Sequence, residues 1–305
     1  MTLNPLLREV LAMVGDWDDY ERALAPVVAG YRPPSVRVEN RSISGPRGPV
    51  PLRLYTPAEA PSRMPGLLWM HGGGFVAGSI DMPEADVVAR ELAHRASALV
   101  VTVDYRLAGP ETLFPAGLDD VQAAWNWLAD EADSLGTDPS LLHLGGCSAG
   151  GNLAVAAARR EVDAGRPGPA SLLLGYPALH FPTPAIEGLG VEELPEILRF
   201  RAEHNLGILR GYLGRIHNIP TEAMPGHGSV EGLPPTLLAL SGVDELRASG
   251  ELFALQLRSV GVPVVVDVAE GLPHGHLNIP PVPALSEIDR SLARLAEALR
   301  TGRPA

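Results

Sequence analysis

The chain of 305 residues has a single cysteine, Cys147, which excludes an intrachain disulfide framework and leaves stability to core packing. It has no apolar run near the ~20 residues of a membrane span, so no membrane partner is expected. Basic clusters are also missing. Lys and Arg number 24 against 36 Asp and Glu, a formal net charge of -12, and a nucleic-acid partner would need the opposite balance. Aromatic residues are scarce at 5%, which argues mildly against a specialised aromatic substrate pocket. The N-terminus, MTLNPLLREVLAMVG, is interrupted by Arg8 and Glu9 and lacks a secretory cleavage pattern. It is expected to form an amphipathic helix with Leu6, Leu7, Val10, Leu11 and Val14 on one side, in a cytoplasmic protein.

The chain is long enough to bury a full core, and its hydrophobic fraction of 46% excludes disorder. Short Val- and Leu-rich runs at 66–70, 98–103, 171–175, 236–241 and 262–268 predict buried strands. Helix-length segments at 82–96, 117–134, 149–164 and 247–260 fall between them. Strands alternating with helices imply an α/β fold, a mostly parallel sheet with helices on both faces. Residues 36–57, broken by Pro46, Pro49 and Pro51, predict an antiparallel hairpin at one edge. Residues 1–35 and 180–228 fall outside this rhythm. They are expected to form a helical cap over the strand ends, where ligands sit in open α/β sheets, leaving 36–179 and 229–305 as the core.

Three features carry chemistry. Gly146-Cys147-Ser148-Ala149-Gly150 fits G-x-S-x-G, with Ser148 central between an apolar strand and an alanine-rich helix. A nucleophile on such a sharp turn has strained backbone angles, and side chains two positions away would collide. Moving the register back by one makes Cys147 the nucleophile, flanked by Gly145 and Ala149. Cysteine is the better nucleophile, but the steric pattern favours serine. Next, His71-Gly72-Gly73-Gly74-Phe75 follows a predicted strand, and consecutive glycines expose backbone N–H groups able to bind an oxyanion. Last comes chain order. Asp244 and His274 each lie just past a predicted strand, on the same sheet edge as Ser148, suiting an orienting acid and a general base. Asp267 and Glu245 compete as the acid and His276 as the base. His274 and His276 together form HxH, but no third ligand has suitable spacing, so no metal or other cofactor is expected.

With these pieces assembled, the chain resembles the hormone-sensitive-lipase-like, or bacterial family IV, esterases of the α/β-hydrolase fold. The matching stretches are HGGGFVAGS, VVTVDYRLAGPE, FPAGLDDVQAAWNWL, GCSAGGNLA, LPPTLLALSGVDELRASG and GLPHGH. The resemblance implies hydrolysis of small-molecule esters with short- to medium-length acyl chains, often by a homodimer. It implies Ser148, Asp244 and His274 as the triad and Gly73, Gly74 and Ala149 as oxyanion donors. His71, Gly72, Gly146, Cys147 and Gly150 would support the motifs, and Asp104, Tyr105 and Arg106 would brace the loops.

Two departures stand out. Cys147 replaces the family's aspartate, which removes an acceptor near the elbow and predicts weakened or altered activity. It also puts a thiol beside the nucleophile, reactive if exposed. Gly109 is an extra residue in LAGPE and must bulge its loop. Leu3, Met13, Trp17, Phe200, Leu206, Leu209 and Leu213 are candidates for an apolar entrance, or for contacts within the cap. Two other functions stay open: an amidase or arylformamidase with the same triad, and a ligand-binding protein with weakened catalysis.

Overall fold

Side chains along a strand alternate across the pleat, so an unbroken apolar run needs a hydrophobic partner on both sides. The computed structural model, which describes residues 2–303, meets that need with one eight-stranded sheet between two helical layers. Leu172 and Leu174 pack into the core on one face and Leu173 into the core on the other. Leu67 and Leu68 divide in the same way.

The strands are β1 (Val36–Gly45), β2 (Gly48–Pro57), β3 (Met64–Met70), β4 (Leu99–Val103), β5 (Thr137–Cys147), β6 (Leu172–Gly175), β7 (Thr236–Val243) and β8 (Val264–Pro273). Their spatial order is β1-β2-β4-β3-β5-β6-β7-β8. The expected hairpin is β1–β2 at one edge, and β2 also runs antiparallel to β4. The other pairings are parallel, so β3, β5, β6, β7 and β8 present their C-terminal ends along one edge.

The N-terminal segment makes two helices, α1 (Pro5–Leu11) and α2 (Trp17–Val28), rather than one. The first ends at Leu11, with the Ala12 N–H donating to the Glu9 carbonyl, and the Asp16 side chain caps the second by accepting the Asp19 N–H at 2.8 Å. Val14 is buried beyond the end of α1. The helices α3 (Pro83–Ala96), α4 (Ala116–Asp130) and α5 (Ala149–Asp163) follow the order expected. Between β6 and β7 the chain forms α6 (Ala202–Leu213) and short 3-10 turns. The last two helices are α7 (Arg247–Ser259) and α8 (Ser286–Thr301).

One sheet face is closed by α4, α5 and α7 through residues such as Leu118, Leu153 and Phe253. The other is closed by α3 and α8 through Leu92 and Leu295, and Leu7 of α1 joins the same buried cluster. α8 adds to the elements predicted from the sequence, and β5 is the strand expected before Ser148, starting well ahead of its apolar run. Asp138, Pro139 and Ser140 hide the start of β5, while α8 carries a clear stripe of Ile288, Leu292, Leu295 and Leu299. Among the described residues no helix is long and apolar enough to cross a membrane.

Candidate active site

β5 ends at Cys147 and α5 begins at Ala149, so Ser148 makes the turn between them. Its φ of 52° and ψ of -116° lie where side-chain-bearing residues rarely sit, a cost of ~1–3 kcal/mol. Hydrogen bonds hold the strain in place. The Ser148 N–H donates to the Gly175 carbonyl at 2.8 Å, and its own carbonyl accepts the Asn152 N–H at 3.1 Å. The flanking glycines have steric causes. A Cβ on Gly146 would stand 2.6 Å from the Met70 carbonyl oxygen, and one on Gly150 would stand 2.4 Å from those of Met70 and His71.

The residues nominated for the triad meet at the C-terminal edge. His274 Nε2 lies 3.0 Å from Ser148 Oγ, and its Nδ1 lies 2.7 Å from Asp244 Oδ2. Asp244 is fully buried, and its other oxygen accepts the Leu246 N–H at 2.8 Å. A carboxylate satisfied in this way holds the imidazole in one tautomer, with the proton on Nδ1 and a lone pair facing the serine.

The competitors are engaged elsewhere. Asp267 pairs with Arg290 at 3.3 Å. Glu245 binds Arg199 at 2.6 Å and the Phe200 N–H at 3.0 Å, which fixes the Phe200 ring 4.3 Å from that of His274. His276 faces Ser241 Oγ at 2.8 Å, away from Ser148. Burial, followed by the charges of His274 and Arg290, lowers its pKa to about 3, so it is no base at neutral pH.

Cys147 is fully buried, with its sulfur toward β6: a Cβ on Gly175 would stand 2.8 Å from Sγ. Burial first, then Glu84, pushes its thiol well above the ordinary value. It therefore stays protonated and offers neither a nucleophile nor a reagent-accessible thiol. The Glu84 carboxyl group, from the start of α3, lies beside Cys147 and Tyr176.

The loop after β3 is shaped by its glycines. Gly73 has a φ of 106°, and a Cβ there would fall 2.1 Å from the Ala77 carbonyl oxygen; Gly74 has a φ of 61°. The N–H groups of Gly73, Gly74 and Ala149 have no partner among the described residues. His71 braces the loop: its Nδ1 donates to the Gly72 carbonyl at 2.7 Å, and its own carbonyl accepts the Tyr105 hydroxyl at 2.9 Å. Arg106 pairs with Asp120. The Gly109 bulge closes on Thr112 through a 2.7 Å bond, and neighbouring Ala108 donates to the Phe75 carbonyl at 2.8 Å.

A cavity of about 450 Å³, counting its open mouth, lies over Ser148, Gly74 and Ala149. Phe75, Phe181, Phe200, Ile208, Leu209 and Met224 make it largely apolar. Of the entrance candidates, Phe200 and Leu209 line it. Leu3 and Leu213 are instead buried in the two cores, Leu206 is absent from the lining, and Met13 and Trp17 are 91% and 58% exposed. Sequence reasoning missed Ile208, Met224 and Phe181 because nothing local separates a cavity wall from a core contact. Phe75 was visible in the glycine motif, without a role. Its ring stacks on Tyr212 of α6 with centroids 3.8 Å apart, fastening α6 to the glycine loop.

Comparison with known proteins agrees with this geometry. The family model for the alpha/beta hydrolase fold matches residues 67–278. The esterase LipI of Mycobacterium tuberculosis is 37% identical, over 87% of this chain and 83% of that protein. An ethyl acetate hydrolase of Pseudomonas putida is 31% identical, over 82% of this chain and 78% of that protein. The solved structure of an esterase from Pyrobaculum calidifontis superposes with a TM-score of 0.88 at 33% identity, over 99% of this chain and 100% of that one. The chain belongs to the α/β-hydrolase fold family, in the hormone-sensitive-lipase-like group that its motifs resemble.

Proposed function

We propose that this protein is a carboxylesterase that cleaves short- to medium-chain acyl esters, with Ser148 as nucleophile, His274 as general base and acid, and Asp244 as the orienting carboxylate. The observation that carries the proposal is the line of contacts from Asp244 through His274 to Ser148, at 2.7 and 3.0 Å, under an apolar cavity. Ser148 Oγ attacks the ester carbonyl while His274 Nε2 takes its proton. The resulting oxyanion is bound by the N–H groups of Gly73, Gly74 and Ala149, each such donor being worth on the order of 10²–10³ in rate. The carbonyl re-forms as His274 protonates the departing alkoxide, leaving an acyl-serine. Water then repeats the sequence, releasing the acid and restoring the serine.

The apolar lining supports an acyl chain, and the limited room supports a short one. The names of the relatives, an esterase and an ethyl acetate hydrolase among them, support an ester over an amide. Residues 36–179 and 229–305 serve as the hydrolase core, and 1–35 with 180–228 as the cap. The lone, buried cysteine suits a reducing cytoplasm, which fractionation checks. The homodimer implied by the resemblance is checked by light scattering.

The test is hydrolysis of p-nitrophenyl acetate, butyrate, octanoate and laurate, and of a matched anilide, by wild type, Ser148→Ala and Cys147→Ala. The wild type turns over short esters, Ser148→Ala loses at least ~10³ in kcat, and Cys147→Ala stays within about tenfold. An active Ser148→Ala protein refutes the assignment.

A further inference from the structure

Glu84 is a buried acid that the proposed reaction leaves unused. It stands at the start of α3, 2% exposed, and three donors from different segments converge on its carboxyl group. Oε1 accepts the Gly72 N–H at 2.5 Å; Oε2 accepts the Tyr176 hydroxyl at 2.8 Å and the Asn278 amide at 3.0 Å. The Glu84 N–H returns a 3.3 Å bond to Asn278 Oδ1. Each partner borders the chemistry. Gly72 precedes the two glycines with unpaired N–H groups. Tyr176 sets its ring 4.8 Å from that of His274. Asn278 ends the short turn that follows His274. Cys147, also in contact with Glu84 and Tyr176, immediately precedes Ser148.

We propose that Glu84 is a positioning residue for ester hydrolysis, one carboxyl group that holds the glycine loop, the serine elbow and the histidine turn in register. This role rests on the carboxylesterase reading above. A buried donor stripped of its acceptor costs ~1–3 kcal/mol, so without Glu84 these segments relax toward other partners. Gly72 sets where the Gly73 and Gly74 N–H groups point, and a shift of ~1 Å at reacting groups can cost 10²-fold in rate. Among the described residues no other side chain bonds Gly72 N–H, Tyr176 hydroxyl and Asn278 amide together. Glutamine is an informative replacement. It keeps the shape, but its amide nitrogen must face a donor.

The test compares wild type, Glu84→Gln, Cys147→Asp and the double variant on p-nitrophenyl acetate, with circular dichroism to verify folding. Glu84→Gln is expected to lower kcat about 10- to 100-fold with KM within about threefold, because the acyl cavity is untouched. Cys147→Asp alone sets two carboxyl groups side by side and also lowers activity. In the double variant the carboxyl group moves from position 84 to position 147, beside the same Tyr176, and kcat recovers at least about tenfold over Glu84→Gln. Two independent structural injuries would add instead of cancelling.

A Glu84→Gln enzyme with kcat within about twofold of wild type overturns the proposal, as does a folded double variant no faster than Glu84→Gln. If Glu84→Gln does not fold, Asn278→Ala decides: kcat must fall with KM held, and an unchanged kcat overturns the role. A wild type inactive on every ester refutes the carboxylesterase reading itself. An active wild type indifferent to Glu84→Gln refutes only the positioning role.

Discussion

Ile208 sets the most direct quantitative test of the cavity. α6 carries it against the glycine loop, where a Cβ on Gly74 would stand 3.2 Å from Ile208 Cγ2, and it lines the space over Ser148. Ile208→Ala removes three carbons from that wall. A longer acyl chain can then bury up to three more methylenes at ~0.8 kcal/mol each. That amounts to about 2.4 kcal/mol, a ceiling of roughly 50-fold in relative kcat/KM. Because Ile208 is only partly buried, the loss of stability should be about 1–2 kcal/mol, small enough to leave a folded enzyme. The assay is kcat/KM on p-nitrophenyl acetate, butyrate and octanoate, with Leu255→Ala, on an exposed face of α7, as the control. The octanoate-to-acetate ratio should rise about 10- to 50-fold in Ile208→Ala and stay flat in the control. A folded Ile208→Ala enzyme whose ratio moves by less than about threefold refutes the placement of the acyl chain.

The remaining predictions concern the elbow and the buried imidazoles. Gly150→Ala pushes a methyl group to within 2.4 Å of two backbone carbonyl oxygens, so either β3 or α5 must shift. A loss of at least about 2 kcal/mol in urea unfolding is expected, together with a fall in kcat; an unchanged midpoint counts against the packing described. His276 is held neutral by burial, its pKa lowered to about 3, and burial lowers His143 to about 4. From pH ~6.5 down toward these values the unfolded chain binds protons that the folded chain does not, so stability falls as pH falls. His276→Asn should flatten urea midpoints across pH 6.5 to 4, and a slope as steep as wild type would remove His276 as a cause.

Ser148, Asp244 and His274 were legible because each signal is local. Every one sits just past a strand of a parallel sheet, so chain order and strand ends alone carry these side chains to a common edge. Steric need made the glycines equally readable, since Gly146, Gly150 and Gly73 leave no room for a Cβ whatever the distant parts of the chain do. The cavity walls were not legible for the opposite reason. Leu206 and Leu209 stand on the same short helix with the same chemistry, yet only Leu209 reaches the cavity, and that depends on how α6 rotates over a loop more than 100 residues away. The Trp17 side chain likewise lies on a helix of clear polarity, but Gly15 and Asp16 start that helix anew and turn the indole outward.

Glu84 falls between these cases. Position 147, considered alone, shows an acid lost before the nucleophile. The compensating acid is 63 positions earlier, at the head of a stripe of Glu84, Val88, Leu92 and Ala96, all buried against the sheet. A carboxylate on the apolar face of a helix is costly without partners, so its presence there implies donors waiting across the interface. What the sequence could not show is that those donors come from Gly72, Tyr176 and Asn278, since that convergence exists only once β3, β6 and β8 lie in their final order. An acid breaking a helical apolar stripe near a nucleophile is therefore a question the sequence poses and only the packed sheet answers. Here the answer is a group that touches the support of the reacting atoms while remaining outside the reaction.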